Sequence, residues 1–152
     1  MTHCSWLMMA GAFEENLGVD EIERAKTASA ALGYDFTVTD ARVMKIFGKI
    51  YAFVTIKNTG VAPIYYDLGV SFGVGNEKNA QWTKAENQKL CRLMPGKSAV
   101  FSAQISIDDG QSLFIRIEKP LPHKNAKPIR FSNSSELQRA DGSLELGNMM
   151  RF

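Results

Sequence analysis

Residues 51–74, YAFVTIKNTGVAPIYYDLGVSFGV, decide how this chain folds. In the first half Ala52, Val54 and Ile56 fall on one side, with Tyr51, Phe53, Thr55 and Lys57 on the other. Beyond Asn58-Thr59-Gly60 the alternation resumes, placing Ile64, Tyr66, Leu68, Val70, Phe72 and Val74 on one face. Tyr65, Asp67, Gly69, Ser71 and Gly73 take the opposite face. A period of two means extended chain, because successive side chains leave a strand on opposite sides. Two such runs about a glycine-bearing turn read as neighbouring strands, either paired or crossing between two packed sheets.

The same beat extends in both directions. Residues 35–43 alternate as a first strand and 44–58 as a second, with an interruption at Gly48. Before them, Ile22, Ala25, Ala28, Ala31 and Leu32 recur at steps of three and four, which predicts a helix over 20–32. Asp20 and Glu21 suit the positive end of that helix, and Gly33 suits its stop. Its stripe is mostly alanine and buries little area alone, so the helix needs a partner surface. Downstream, residues 75–96 read as a long polar connection with Trp82 in its middle and the turn signal Pro95-Gly96 at its end. Ala99, Phe101, Ala103, Ile105 and Ile107 then mark one strand, and Leu113, Ile115 and Ile117 the next, across Asp108-Asp109-Gly110. After a break at Pro120 and Pro122, Ile129 and Phe131 mark a further strand, and Leu144, Leu146 and Met149 a closing one. The expected fold is mainly β: an immunoglobulin-like antiparallel β-sandwich of about seven strands with one N-terminal α-helix. Residues 1–34 form an N-terminal strand and helix element, and 35–152 the sandwich.

Composition narrows the class. A chain of 152 residues with 45% hydrophobic content is one domain, or one domain with an appended element, and can build a real core. Eighteen basic against 16 acidic residues is too even to argue for nucleic acid or an anionic membrane. The longest apolar run, residues 6–13, is about half of what a bilayer span requires. It lacks the basic flank of a leader and runs straight into Glu14 and Glu15, so neither leader, anchor nor membrane insertion is expected. Cys4 and Cys91 form no metal motif; they read as two buried thiols, or as a pair in an oxidising compartment.

A search for chemistry nominates no catalytic, cofactor-binding or metal-ligating residue. His3 and His123 stand apart, without ligand spacing, and no GxSxG, HExxH or phosphate-binding glycine loop is present. Binding is the better reading. Sandwiches that grip sugars use aromatic rings against pyranose faces, with carboxylates and amides for the hydroxyls. Trp82 and Tyr65 are the candidate rings, and Asp67 the candidate polar group. Each has a plainer alternative: Trp82 anchors its loop, and one of Tyr65 and Tyr66 fills the core while the other covers an edge. Arg116 and Arg130 read as surface ion-pairing groups, and Lys119, Lys124 and Lys127 as part of a solvated face.

Leu32-Gly33-Tyr34, the stretch from Ile56 through Asn58-Thr59-Gly60-Val61-Ala62-Pro63 to Tyr66, Leu93-Met94-Pro95-Gly96, the run from Lys127 to Asn133, and Leu144-Glu145-Leu146-Gly147 stand in a recognisable order. Together they resemble a bacterial family of unknown function, in which a glycoside-hydrolase-like β/α-barrel precedes a C-terminal β-sandwich. The resemblance covers most of the chain from Leu32 onward. It implies a non-catalytic accessory sandwich, acting outside the cytoplasm, with carbohydrate as ligand and a catalytic barrel as its partner in the parent chain. Residues 6–32 would then be a remnant of barrel strand and helix. Asn58 and Gly60 suit a turn needing positive φ or a side-chain-to-backbone bond, Pro63 sets the approach to the next strand, and Asn133 ties down a loop. An adhesion or protein-interaction sandwich with no glycan role, and a small hydrolase with unrecognised acids, are the competing readings.

Overall fold

A computed structural model describes residues 18–30, 32–76, 79–86, 88–108, 110–118, 127–147 and 150–151. Helix α1 (Val19–Ala30) opens the described chain. The Gly18 N–H donates to the Glu21 carboxylate at 3.0 Å, so an acidic side chain satisfies one of the free donors at the helix start. Gly33, with φ of 81°, turns the backbone in a conformation that disfavours a side chain. Ile22 and Leu32 of the expected apolar stripe are exposed, as is Val19 at the helix start.

Eight strands follow among the described residues: β1 (Phe36–Ile46), β2 (Lys49–Asn58), β3 (Val70–Gly75), β4 (Ala80–Lys84), β5 (Ser98–Ile105), β6 (Ser112–Ile117), β7 (Leu144–Glu145) and β8 (Met150–Arg151). They form two sheets in the orders β5-β2-β1-β8 and β4-β3-β6-β7. Every pairing is antiparallel except the short one between β1 and β8. Val38, Ala41 and Val43 of β1, Val54 and Ile56 of β2, and Phe101 of β5 face Phe72, Leu113, Ile115 and Leu144 of the second sheet in one core. Burying apolar faces between two sheets is the ordinary way such period-two sequences become stable. The chain is a mainly-β, two-layer sandwich.

Several boundaries differ from the sequence reading, each for a physical reason. The first hairpin turns at Phe47-Gly48, so β1 runs three residues beyond the expected Val43, to Ile46. Both turn residues have positive φ, 47° and 78°, which matches the right-handed twist of the flanking strands. Residues 64–69 are not a strand, although Ile64 and Leu68 are buried on the expected beat. The Leu68 N–H bonds to the Tyr66 carbonyl only two residues back, a tight turn that swings Tyr66 out of the apolar face. Tyr65 and Tyr66 are therefore both exposed, and neither fills the core. The polar stretch 75–96 is not one loop, because it contains β4, and Trp82 lies on that strand. Phe131 is buried as expected, but residues 127–131 are irregular. The closing strand reduces to the two residues of β7, with β8 separate; Met149 lies outside the described residues.

One buried side chain gathers segments that are far apart in the sequence. Asn58 is fully buried at the end of β2, and its Oδ1 accepts from the N–H groups of Asp35 and Gly60 at 3.2 and 3.0 Å. Its Nδ2 donates to the carbonyls of Ala62 and Leu93 at 2.9 and 3.0 Å. Gly60 packs so closely that a Cβ there would lie 2.5 Å from the Gly33 oxygen and 2.6 Å from the Asp35 nitrogen. Close approach, with no positive φ at this residue, is what demands the glycine. Pro63 sits half-buried in the connection; the next strand begins only at Val70, so it does not lead directly into a strand. Asn133 acts similarly at the other side of β1: its amide both accepts from Val38 N–H and donates to Val38 C=O, each at 2.9 Å. This occurs beside the bulge at Thr39, where the β1–β2 register shifts.

Candidate functional site

The register of the second sheet determines what its outer face carries. Gly73 pairs with Trp82 and Phe114, and Ser71 with Lys84 and Arg116, while Phe72 and Ile115 point to the core. The small residues of β3 leave room for large neighbours. A Cβ at residue 73 would come within 2.9 Å of the indole carbons, so the Trp82 ring packs directly on the glycine backbone. The Arg116 guanidinium lies 3.9 Å from the centre of that ring. Alongside, Arg139 covers Phe114 at 3.7 Å from the ring centre and contacts Glu145 at 3.2 Å. Arg116, read from sequence as an ion-pairing group, is thus a stacking group.

Beside this paved face is a groove of about 340 Å³ lined by Asp67, Gly69, Lys84, Glu86, Gln88 and Lys89, with Leu68 and Ala85 at its base. Lys84 meets Glu118 at 2.9 Å, and the Ser71 hydroxyl donates to the other Glu118 oxygen at 2.9 Å. Gly69 makes this possible: a Cβ there would lie 2.5 Å from a Glu118 oxygen and 2.7 Å from Lys84 Cε. Across the groove Lys89 donates to Asp67. Burial pushes the Glu118 carboxyl upward, but hydrogen bonds from Lys84 and Ser71, with the charges of Lys84 and Arg116, outweigh it and hold the group below its ordinary range. The same hydrogen bond and charge raise Lys84. Both groups are therefore ionised at neutral pH.

Of the sequence candidates, Asp67 lines the groove, and Trp82 shares a strand and a face with the groove residue Lys84. Tyr65 is 66% exposed two residues before Asp67 and is not part of the lining. Asn58, Gly60, Pro63 and Asn133 belong to the framework described above. Lys84, Lys89 and Glu118 were not singled out by the sequence reading. The alternation of Gln81, Trp82, Thr83 and Lys84 is the signal that would have put Lys84 beside Trp82. His3, His123 and Cys4 lie outside the described residues, and with Cys4 the question of its pairing; Cys91 is half-buried in the single turn Leu90–Arg92. Among the described residues no three His, Cys, Asp or Glu side chains are placed to hold a metal ion, and no helix is long and apolar enough to cross a membrane.

The fold and this face define a two-sheet sandwich with a charged groove at the β4 side of one sheet. No protein-family model and no curated protein matches the sequence.

Proposed function

We infer that the chain is a non-catalytic accessory sandwich of a polysaccharide-active protein and holds glycan in the groove beside Trp82. The observation that carries this is the convergence of Asp67, Lys84, Glu86, Gln88 and Lys89 on one groove next to an indole-bearing sheet face. A pyranose has apolar ring faces and a rim of hydroxyls, so it needs alternating donors and acceptors with an aromatic wall alongside. Here carboxylates accept, and ammonium groups and the Gln88 amide donate, while Trp82 with its stacked Arg116 stands on the neighbouring sheet face. Tyr65, exposed two residues before Asp67, is the second candidate ring.

A binding role also suits the acid–base state. Glycoside cleavage needs a carboxyl raised toward neutrality to act as general acid. Glu118 is shifted the opposite way. In this reading the sandwich works outside the cytoplasm as the C-terminal companion of a β/α-barrel, as the family resemblance implies. The test is a glycan array probed with the wild-type chain and with Trp82→Ala and Asp67→Ala. Each substitution removes a contact worth about 1–2 kcal/mol, so roughly tenfold weaker binding is expected. Absence of any glycan ligand, or binding indifferent to both changes, refutes the reading.

A further inference from the structure

The other sheet carries a feature that the glycan reading does not use. Phe47, at the tip of the β1–β2 hairpin, is 102% exposed, and its φ is 47°. It is the sole non-glycine residue with positive φ among the described residues. A bulky side chain is disfavoured there on both counts, by sterics and by exposure, whereas asparagine would serve such a turn readily. The tip also projects. β2 pairs with β5 only from Ile50 onward, and β1 meets β8 only at Ala41 and Arg42, so the Ile46–Lys49 rung stands beyond both neighbours.

The charges around the ring are of one sign. Residues 44–50, MKIFGKI, hold two lysines and no acid. Lys45 pairs with Ile50 and Lys49 with Ile46, and adjacent rungs of a hairpin present their side chains to opposite faces. One ammonium therefore flanks the phenyl ring on each side of the ribbon. Both lysines are exposed, and neither is held in an ion pair among the described residues. Half-exposed Met44 adds apolar surface just behind the tip. Asp108, exposed three residues past the β5 end that pairs with Ile50, is the described acid next along the chain.

We propose that the Phe47 hairpin tip is a peripheral contact for an anionic lipid surface, with the ring among the headgroups and acyl-chain ends, and Lys45 and Lys49 on the phosphates. A convex apolar finger with a cation on each face fits a flat negative plane, which both ammoniums reach together when the hairpin stands upright on it. A pocket in a partner protein has no need for that two-sided arrangement. The even charge of the whole chain conceals it, because the two lysines are a local excess. The contact is one residue deep, distinct from crossing the bilayer, and is independent of the groove on the opposite sheet.

The test is cosedimentation of the full chain with vesicles of phosphatidylcholine containing phosphatidylglycerol, compared with pure phosphatidylcholine vesicles. Binding is expected with the anionic vesicles, falling about fivefold for each of Lys45→Gln and Lys49→Gln and fading with added salt. Phe47→Asn is the decisive variant. It installs the favoured turn residue, so its urea midpoint should equal or exceed that of the wild type while vesicle binding falls about tenfold. No binding to anionic vesicles, equal binding to the neutral ones, or binding unchanged by Phe47→Asn overturns the proposal. So does tight capture of the tip by a purified protein when vesicles are ignored.

Discussion

Asn58→Ala is the substitution that most directly tests how this sandwich is held together. The side chain makes four hydrogen bonds, at 2.9 to 3.2 Å, to backbone groups of Asp35, Gly60, Ala62 and Leu93, and none of its surface reaches solvent. Each bond to a neutral partner contributes about 1 kcal/mol net, and a buried group left without a partner costs about 1–3 kcal/mol. Allowing for partial rehydration of the vacated space, the loss should be about 3–5 kcal/mol. That is a large part of the roughly 5–15 kcal/mol available to an average domain. Urea unfolding followed by far-ultraviolet circular dichroism reads it directly, as a lower midpoint at unchanged slope. Thr83→Ala, at an exposed position on β4, is the matched control and should stay within about 0.5 kcal/mol. Asn58→Asp sharpens the test, since it keeps the acceptor but sets a carboxylate against two carbonyls. Such a buried acid has a raised folded pKa, so its stability should recover as pH falls. A loss under about 1 kcal/mol for Asn58→Ala, or one no larger than the control, would refute the account of Asn58 as the junction of these segments.

Two further expectations concern the framework and the groove. Gly60→Ala should lower stability by more than about 2 kcal/mol in the same titration, because the new methyl meets backbone atoms of Gly33 and Asp35 that cannot swing aside. Glu118→Gln should flatten the acid limb of the stability–pH curve. The Glu118 carboxyl sits below its ordinary 4.5 in the folded chain, so its contribution is present above that pH and disappears as pH falls through the folded value. Wild type and variant should differ by about 0.5–1 kcal/mol at neutral pH, as expected of a partly exposed pair, and converge in acid. Parallel curves at every pH would rule that origin out.

What the sequence disclosed, and what it concealed, follows from where the information resides. Alternation at residues 52–56 and 99–105 was legible because one face of each run is buried and the other is not; at 113–117 the apolar beat was legible although Phe114, on the outer face, is buried too, beneath Arg139. It misled at residues 64–69, where the apolar beat is real but the hydrogen bonds are local. Burial and ladder pairing are separate conditions, and only the first leaves a pattern in composition. Trp82 was hidden by its polar neighbours, which suit a short edge strand as well as a loop. The groove was the hardest part to foresee. Lys84, Arg116 and Glu118 assemble around Ser71 only through the pairing of β3 with both β4 and β6, and that register belongs to the folded sheet. Asp67 was nominated, but its partner Lys89 lies 22 residues away. By contrast, Asn58 and Gly60 were read as a turn with a side-chain-to-backbone bond, and that bond forms where the segments of Gly33, Asp35, Ala62 and Leu93 meet.

The Asn133 amide also determines what β1 offers to other molecules. A strand margin that presents bare donors and acceptors invites a second chain to add itself, the first step toward fibrous association. Along β1 that margin is occupied in succession: the Ser132 N–H on the Phe36 carbonyl, the Asn133 side chain on both groups of Val38, then β8 at Ala41 and Arg42. A single carboxamide thus imitates one rung of a neighbouring strand without being one, and it covers Val38 on the side of β1 before β8 begins. The margin of β1 from Phe36 to Arg42 is therefore covered by backbone and side-chain groups of residues 132, 133 and 150–151, quite apart from any ligand.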